Sequence, residues 1–208
     1  MDNALAKKLH EGISDLRLSE LPNGLEGRLL AYLALLVKWN SAYNLTAVRN
    51  PEQMLIRHLL DSLSILPLLS GKTLIDVGTG PGLPGLVLAL ANPALEVTLL
   101  DSNGKKVRFV RQVIAELKVA NATAVQARAE NHVGCFDIVT SRAFATLADM
   151  VEWSGHLVAE GGALLAMKGV RPDQEVAALP SGYRVDGIFA LRVPFLNEER
   201  HAVRIVKT

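Results

Sequence analysis

The sequence "TLIDVGTGPGLPG", residues 73–85, contains two overlapping glycine patterns that predict different ligands. Its second half has the G-x-G-x-x-G spacing of a dinucleotide-binding turn, and Asp101 lies about twenty residues further on, as that fingerprint requires. Its first half, in which Asp76 is followed by glycines at alternate positions, is the pattern of a loop that holds S-adenosylmethionine. The question is therefore whether this loop binds a phosphate or a sulfonium group.

The prolines and the aspartate of the loop favour the sulfonium ligand. A pyrophosphate is bound by backbone N–H groups at the start of a helix, and Pro81 and Pro84 have no N–H to donate. Asp76, at the end of the first predicted strand, would repel a pyrophosphate and attract the positive charges of S-adenosylmethionine. Asp101 fits either ligand, because a carboxylate at the tip of the second strand accepts hydrogen bonds from ribose hydroxyls. A glycine-rich turn without a ligand stays open as the structural alternative.

After residue 70, short apolar runs alternate with helical patterns. The predicted strands are 73–77, 96–101, 122–127, 136–141 and 163–167, and the predicted helices are 83–92, 104–118 and 147–158. Residues 183–193 and 201–207 alternate like the two arms of an antiparallel pair. This order predicts an α/β fold with a mostly parallel sheet, covered on both faces, that binds its ligand beyond the carboxyl ends of the strands.

Residues 1–70 have a helical pattern instead. Apolar and aromatic residues recur there at three- and four-residue intervals, and Asn50 and Pro51 form a helix start. These helices are too few for a core of their own, so we expect segment 1–70 to pack on domain 71–208 as one structural unit. Tyr32, Trp39 and Tyr43 are predicted to anchor the helices in the core.

Composition limits the class of protein. The chain has 208 residues, 50% hydrophobic and 21% charged, with a formal net charge of +1, which is typical of a single globular domain and does not identify a nucleic-acid binder. Cys135 is the only cysteine, which suits a reducing cytoplasm, and we expect it to be buried or half-buried. The five histidines lack metal-ligand spacing, and neither a membrane span nor an export signal is visible, so we predict a cytoplasmic protein without a metal.

Eight short segments, in this order, resemble the RsmG (GidB) family over about residues 32–207. They are "KWNSAYNLTAVRN", "RHLLDSL", "DVGTGPGLPG", "LLDSNGKKVRFVRQV", "ARAE", "FDIVTSRAFA", "MKG" and "ERHAVRIVK". The resemblance implies a class I S-adenosylmethionine-dependent methyltransferase, with a Rossmann-like, mostly parallel seven-stranded sheet whose last strand is antiparallel. It also implies methylation of the N7 atom of guanine 527 in 16S ribosomal RNA, with that RNA or the small ribosomal subunit as partner. We expect the protein to be a monomer.

The loop motif and the resemblance together predict the cofactor-binding residues. They are Asp76, Gly78, Gly80, Leu83, Asp101, Ala129, Glu130 and Arg142. The resemblance implies that Ala129 and Glu130 surround the adenine, and that Arg142 faces the reacting end of the cofactor. Two departures from the family pattern are Asn103, where an apolar residue is expected, and the short spacing of Glu130 from Phe136.

We name no catalytic acid or base, because guanine N7 carries a lone pair and no proton. In an A-form helix N7 lies in a deep, narrow groove, so the target guanine is expected in a loop or outside its stack. Lys168, Arg200 and His201 are the predicted RNA-binding residues, with an ordinary solvent-facing edge as the alternative. His58 and Asp61 are expected to pack against the domain beneath them rather than to act as a catalytic pair.

Three other functions stay open on the residues alone. The protein could methylate a small molecule, which its modest net charge would suit. It could be a ribosome- or RNA-binding factor whose pocket is vestigial or regulatory. A nicotinamide dehydrogenase is the weakest of these hypotheses.

Overall fold

A seven-stranded mixed sheet forms the centre of the protein, whose computed structural model describes residues 3–142 and 146–208. The strands are β1 (Thr73–Val77), β2 (Glu96–Asp101), β3 (Ala122–Gln126), β4 (Phe136–Arg142), β5 (Val158–Lys168), β6 (Tyr183–Ala190) and β7 (His201–Lys207). Their order across the sheet is β3-β2-β1-β4-β5-β7-β6. The pairs among β1 to β5 are parallel, and β7 is antiparallel to both β5 and β6. The predicted mostly parallel seven-stranded sheet, with its antiparallel last strand, is confirmed.

Helices cover both faces of this sheet. They are α1 (Asn3–Leu16), α2 (Leu25–Tyr43), α3 (Pro51–Met54), α4 (Asp61–Leu63), α5 (Gly85–Ala91), α6 (Gly104–Glu116), α7 (Leu147–Ser154) and α8 (Asp173–Ala177). A π-helical segment, Leu55–Leu60, joins α3 to α4, so residues 51–63 form one continuous helical stretch. As predicted, Asn50 caps this stretch, because its Oδ1 accepts a hydrogen bond from the N–H of Gln53.

Alternation along the strands divides the core into two layers. Leu74 joins a cluster with α5, α6 and the N-terminal helices, whereas its neighbour Ile75 joins a cluster with α7 on the other face. The N-terminal helices contribute residues such as Leu9 and Leu29 to the first cluster. Because β1 to β5 are parallel, their carboxyl ends lie together at one rim of the sheet.

The β4–β5 region differs from its predicted boundaries. The helix predicted to end at 158 stops at Ser154, and β5 begins at Val158, five residues before its predicted start. Gly161 and Gly162 lie where the register of β4 and β5 shifts. A Cβ at Gly162 would lie 2.8 Å from the carbonyl oxygen of Asp137, so glycine permits this close approach of two strands.

Two predictions of burial are wrong. Tyr43, the last residue of α2, has 46% of its surface exposed, because the buried residues of this helix end at Asn40. It packs instead against Trp39, with ring centroids 5.3 Å apart. Cys135 is exposed, because it belongs to the surface loop that precedes β4.

Candidate functional site

The turn of residues 78–84 lies at the carboxyl ends of β1 and β2, and its first half is tied to β2. Gly78 and Thr79 donate their N–H groups to the carbonyl oxygen of Leu100, at 2.8 and 3.0 Å. Gly80 donates to Asp101 Oδ2 at 2.9 Å. Asp101 therefore fixes the backbone of the turn from the tip of β2.

The second half of the turn is also held by its own N–H groups. Gly82 and Leu83 both donate to the carbonyl oxygen of Thr79, and Gly85 donates to Asp76 Oδ2 at 2.8 Å. The prolines at 81 and 84 have no N–H. In this fully described stretch every backbone N–H from 78 to 85 thus donates to the protein itself. The turn has no set of donors to offer to a pyrophosphate.

Asp76 is fully buried beneath the turn. Its Oδ2 accepts hydrogen bonds from Thr79 Oγ1 at 2.6 Å and from Gly85, whereas its Oδ1 has no hydrogen-bond partner within the described chain. Burial raises the pKa of Asp76 to about 6, although the hydrogen bonds to Oδ2 act in the opposite direction. A carboxylate with one unsatisfied buried oxygen favours a cationic hydrogen-bond donor.

The glycines let a ligand approach the turn. Gly78, Gly80 and Gly82 have left-handed φ values of 69°, 60° and 102°, which residues with a side chain rarely adopt. A Cβ at Gly80 would meet no heavy atom within 4 Å, so the space over this residue is open.

A groove of about 230 Å³ lies beside the turn and contains four of the eight predicted cofactor residues. They are Gly78, Asp101, Ala129 and Glu130. Ser102, Arg128 and Trp153 also line the groove and were missed by the sequence analysis. Arg128 lies inside the "ARAE" segment, which was a usable signal, whereas Trp153 carries no motif.

The other four predicted cofactor residues lie outside the lining of this groove. Asp76 lies in β1 beneath the turn, Gly80 belongs to the turn, and Leu83 is buried in the core. Arg142 ends β4. A larger cavity of about 400 Å³ lies near the amino ends of the strands, and the predicted residues are absent from its lining.

Arg142 is held by the helical stretch of residues 51–63. Its Nη1 donates to the carbonyl oxygen of Arg57 at 2.8 Å and to Asp61 Oδ2 at 3.1 Å. Asp61 Oδ1 lies 3.3 Å from Arg200 Nε, within ion-pair distance but outside hydrogen-bond geometry. Burial raises the pKa of Asp61, and the two guanidinium groups oppose that effect.

The π-helical segment explains why this contact is possible. The N–H of Asp61 donates to the carbonyl oxygens of Ile56 and His58, which leaves the carbonyl oxygen of Arg57 to accept from Arg142. His58 Nδ1 lies 3.5 Å from Arg142 Nη2. Burial first, and then the charge of Arg142, lower the pKa of His58 to about 4. As predicted, His58 and Asp61 pack against the sheet domain.

The three predicted RNA-binding residues lie close together, where β5 ends and β7 begins. Lys168 pairs with His201 in the register of these strands. Lys168 Nζ lies 2.8 Å from Glu175 Oε2, and His201 Nδ1 lies 2.8 Å from the carbonyl oxygen of Gly169. Arg200 also contacts acidic groups, so each of the three side chains has a partner in the protein.

The family departure at Asn103 has a local explanation. Asn103 Oδ1 accepts hydrogen bonds from the N–H groups of Lys105 and Lys106, so it caps α6. Its own N–H donates to Asp101 Oδ1 at 2.8 Å. The asparagine side chain therefore gives α6 a cap, whereas the bond to Asp101 comes from the backbone and does not depend on the side chain.

Residues 3–142 and 146–208 contain neither a metal-ligand cluster nor a membrane-spanning helix. In these ranges no group of three or more His, Cys, Asp or Glu residues could hold a metal ion. Among the helices of the same ranges, none is long and apolar enough to cross a membrane.

Comparison with known proteins identifies the same family. The GidB family model, described as rRNA small subunit methyltransferase G, matches residues 26–203. A protein of Erwinia tasmaniensis named "Ribosomal RNA small subunit methyltransferase G" is 55% identical over 182 residues, which cover 86% of this chain and 89% of that protein. A protein of the same name from Enterobacter sp. (strain 638) is 51% identical over 208 residues, 99% of this chain and 98% of its own length.

Solved structures share the fold at low sequence identity. The glycopeptide N-methyltransferase MtfA, complexed with S-adenosyl-L-homocysteine, has a TM-score of 0.63 and 12% identity, over 73% of this chain and 87% of that one. A SAM-dependent methyltransferase from Aquifex aeolicus has a TM-score of 0.56 and 16% identity, over 76% and 94%. At these identities the comparisons show the fold alone.

Proposed function

The chain belongs to the rRNA small subunit methyltransferase G family, and we propose that it methylates the N7 atom of a guanine in small-subunit ribosomal RNA. S-adenosylmethionine is its methyl donor. Methylation of ribosomal RNA follows from the family, whereas the choice of guanine and of N7, at guanine 527 of 16S ribosomal RNA, is the proposal.

The turn supplies the observation that carries the cofactor assignment. Its N–H groups are used internally, which disfavours an anionic pyrophosphate, and Asp76 Oδ1 is a buried acceptor without a partner. A ligand with an ammonium and a sulfonium group fits this electrostatic setting. The open space over Gly80 and the adjoining groove give such a ligand room.

The remaining predicted residues have roles consistent with this assignment. Asp101 and Glu130 would accept hydrogen bonds from the adenosine half, and Ala129 would contact the adenine. Gly78 and Leu83 would shape the turn against the methionine half. Arg142, fixed by Asp61, would lie beside the reacting end.

The chemistry of guanine N7 matches a site without a general base. When bound, S-adenosylmethionine supplies an electrophilic methyl group. N7 has a lone pair and no proton, so the protein has no proton to remove and contributes by alignment and electrostatics. His58 does not need to act as a general base. It is buried with a pKa of about 4, and it contacts Thr46 and Arg142, which suits a packing role.

We place the RNA at the rim formed by Lys168, Arg200 and His201. Their contacts with the protein fix these side chains at the carboxyl end of β5, beside β4 and its Arg142. Ribosomal RNA as substrate also supports a cytoplasmic location, and we expect the enzyme to act as a monomer, which sedimentation of the purified protein would test.

Methyl transfer to defined RNA tests the proposal. Small ribosomal subunits and naked 16S RNA, both from cells that lack the protein, are incubated with labelled S-adenosylmethionine and the enzyme. Chemical cleavage at N7-methylguanosine, mapped by primer extension, should then give one new stop at a single guanine. Label without that cleavage would contradict the choice of N7, and no label in either RNA would contradict the substrate.

The same assay separates the alternatives. A small-molecule methyltransferase would still incorporate label in an RNase-treated extract. A non-catalytic binding factor would retain RNA association while transferring no methyl group, in the wild type and in Asp101→Ala alike.

A further inference from the structure

Trp153 lines the groove beside the turn, and it belongs to none of the family segments. We propose that its indole forms one wall of the cofactor groove and contacts the purine ring of the bound adenosine group. This inference rests on the proposed function, because it concerns the same cofactor site. It assigns the adenosine end of the groove to a residue that the motif analysis did not select.

The position of Trp153 on α7 separates it from the core. Leu147, Met150 and Val151 form the buried face of this helix and pack under the sheet. Trp153 lies off that face, and 37% of its surface is exposed. The aromatic ring of Trp153 therefore borders the groove and does not fill the core. Ligand grooves are commonly lined by aromatic side chains in such positions.

The groove has the distribution of polarity that a nucleoside requires. Its floor contains Val77, Leu100 and Ala129, which are apolar and buried. Asp101 lies at the tip of β2, where a carboxylate binds ribose hydroxyls. Trp153 adds a flat apolar surface, and purine rings stack favourably on such surfaces. The proposal places the purine between the indole and these apolar residues.

The chain allows this contact to be observed directly, because it has two tryptophans. Trp39 does not line the groove. It packs against Phe109 at the edge of the core, with ring centroids 5.5 Å apart. In a Trp39→Phe background, Trp153 is the sole indole reporter. Saturation with S-adenosyl-L-homocysteine should then change its fluorescence, with the same dissociation constant that calorimetry gives.

Affinity measurements give the second test. Trp153→Ala should weaken binding of S-adenosyl-L-homocysteine about tenfold, because one stacking surface is lost. Trp153→Phe keeps an aromatic face and should lose less than about threefold, and Trp39→Phe is the matched control that should retain wild-type affinity. Thermal unfolding of each variant shows whether the fold is intact, and the fluorescence titration and Trp153→Phe decide the matter if Trp153→Ala does not fold.

The outcomes separate this inference from the function itself. Wild-type affinity in Trp153→Ala, or unchanged Trp153 fluorescence at saturation, would overturn the wall assignment and leave the methyltransferase proposal standing. Failure of the wild-type protein to bind S-adenosyl-L-homocysteine would contradict the cofactor assignment instead. A loss of affinity in Trp39→Phe equal to that of Trp153→Ala would also overturn the assignment, because the effect would then not be local.

Discussion

Asp76 stabilises the turn with one carboxylate oxygen and leaves the other available to accept a hydrogen bond from a cationic group. Its Oδ2 holds Thr79 and Gly85, and its Oδ1 is buried without a partner. Burial raises the pKa of this carboxyl to about 6, so the group is largely protonated below that pH. By linkage, its contribution to folding stability is fully present below its unfolded pKa and is lost as the pH rises through 6.

Ligand binding should respond to pH in the opposite direction. The ammonium group of S-adenosyl-L-homocysteine requires ionised Asp76 as its partner, so affinity should fall below pH 6, up to about tenfold per pH unit, and level off above pH 7. Calorimetry in buffers of different ionisation enthalpy should show proton release on binding at pH 5.5. Asp76→Asn should flatten this dependence, and an unchanged slope in that variant would assign the titration to another group.

Gly80 allows a test in which backbone strain is matched. Gly80 and Gly24 have similar left-handed φ values, 60° and 76°, and a Cβ at either position would meet no atom within 4 Å. Gly80→Ala and Gly24→Ala should therefore lose similar stability, about 1–2 kcal/mol each in urea unfolding. Only Gly80→Ala should lose affinity for S-adenosyl-L-homocysteine, because its methyl group enters the space over the turn. Equal affinities in the two variants would show that this space is not used by the cofactor.

At the scale of elements, α2 helps to shape the turn. Tyr32 is fully buried, and its hydroxyl donates to the carbonyl oxygen of Pro81 at 2.9 Å. Burial raises the pKa of Tyr32 far above its ordinary value, so the hydroxyl stays a donor at all physiological pH values. The N-terminal helices thus contact the cofactor turn as well as the core.

Removal of that hydroxyl should affect both stability and binding. Tyr32→Phe leaves the carbonyl oxygen of Pro81 buried and unsatisfied, so stability should fall by about 1–3 kcal/mol. Because the turn loses one of its supports, affinity for S-adenosyl-L-homocysteine should fall about threefold to tenfold in calorimetry. The control is Tyr43→Phe, on the same helix but exposed, which should change neither quantity. Loss of stability with unchanged affinity would limit Tyr32 to a structural role.

The elements were predictable where local pattern decides them. The β1 and β2 strands match their predicted bounds, because each is a mostly buried apolar run and a motif residue marks where it stops, Gly78 after β1 and Asp101 at the end of β2. The start of β5 was missed, because Gly162 serves a close approach between strands and Gly161 a left-handed φ of 74° at the register shift, and no local pattern reveals either. For the same reason Trp153 was missed in the site, since only the packing of α7 brings it to the groove.

At the scale of the whole molecule, the first of the two core clusters contains residues from both segment 1–70 and the sheet domain. Leu9, Leu29 and Leu55 of the N-terminal helices belong to the same cluster as Leu86 and Phe109 of α5 and α6. Polar contacts reinforce it, among them one from α2 to the turn and one from α4 to β4. The sheet domain therefore uses segment 1–70 both as a cover for one face and as a support for its site.

Truncation at residue 71 tests whether this dependence is obligatory. The chain 71–208 would expose the α5 and α6 residues that the N-terminal helices cover, and it would lose the Tyr32 and Asp61 contacts. We expect it to show no cooperative thermal transition and no binding of S-adenosyl-L-homocysteine, because an uncovered apolar face favours a collapsed, poorly packed state. The chain 17–208 is the control, since it loses only α1 and keeps both contacts, and it should unfold cooperatively at a lower temperature. A folded 71–208 chain with wild-type affinity would show instead that segment 1–70 is an appendage and that the turn is shaped by the sheet domain alone.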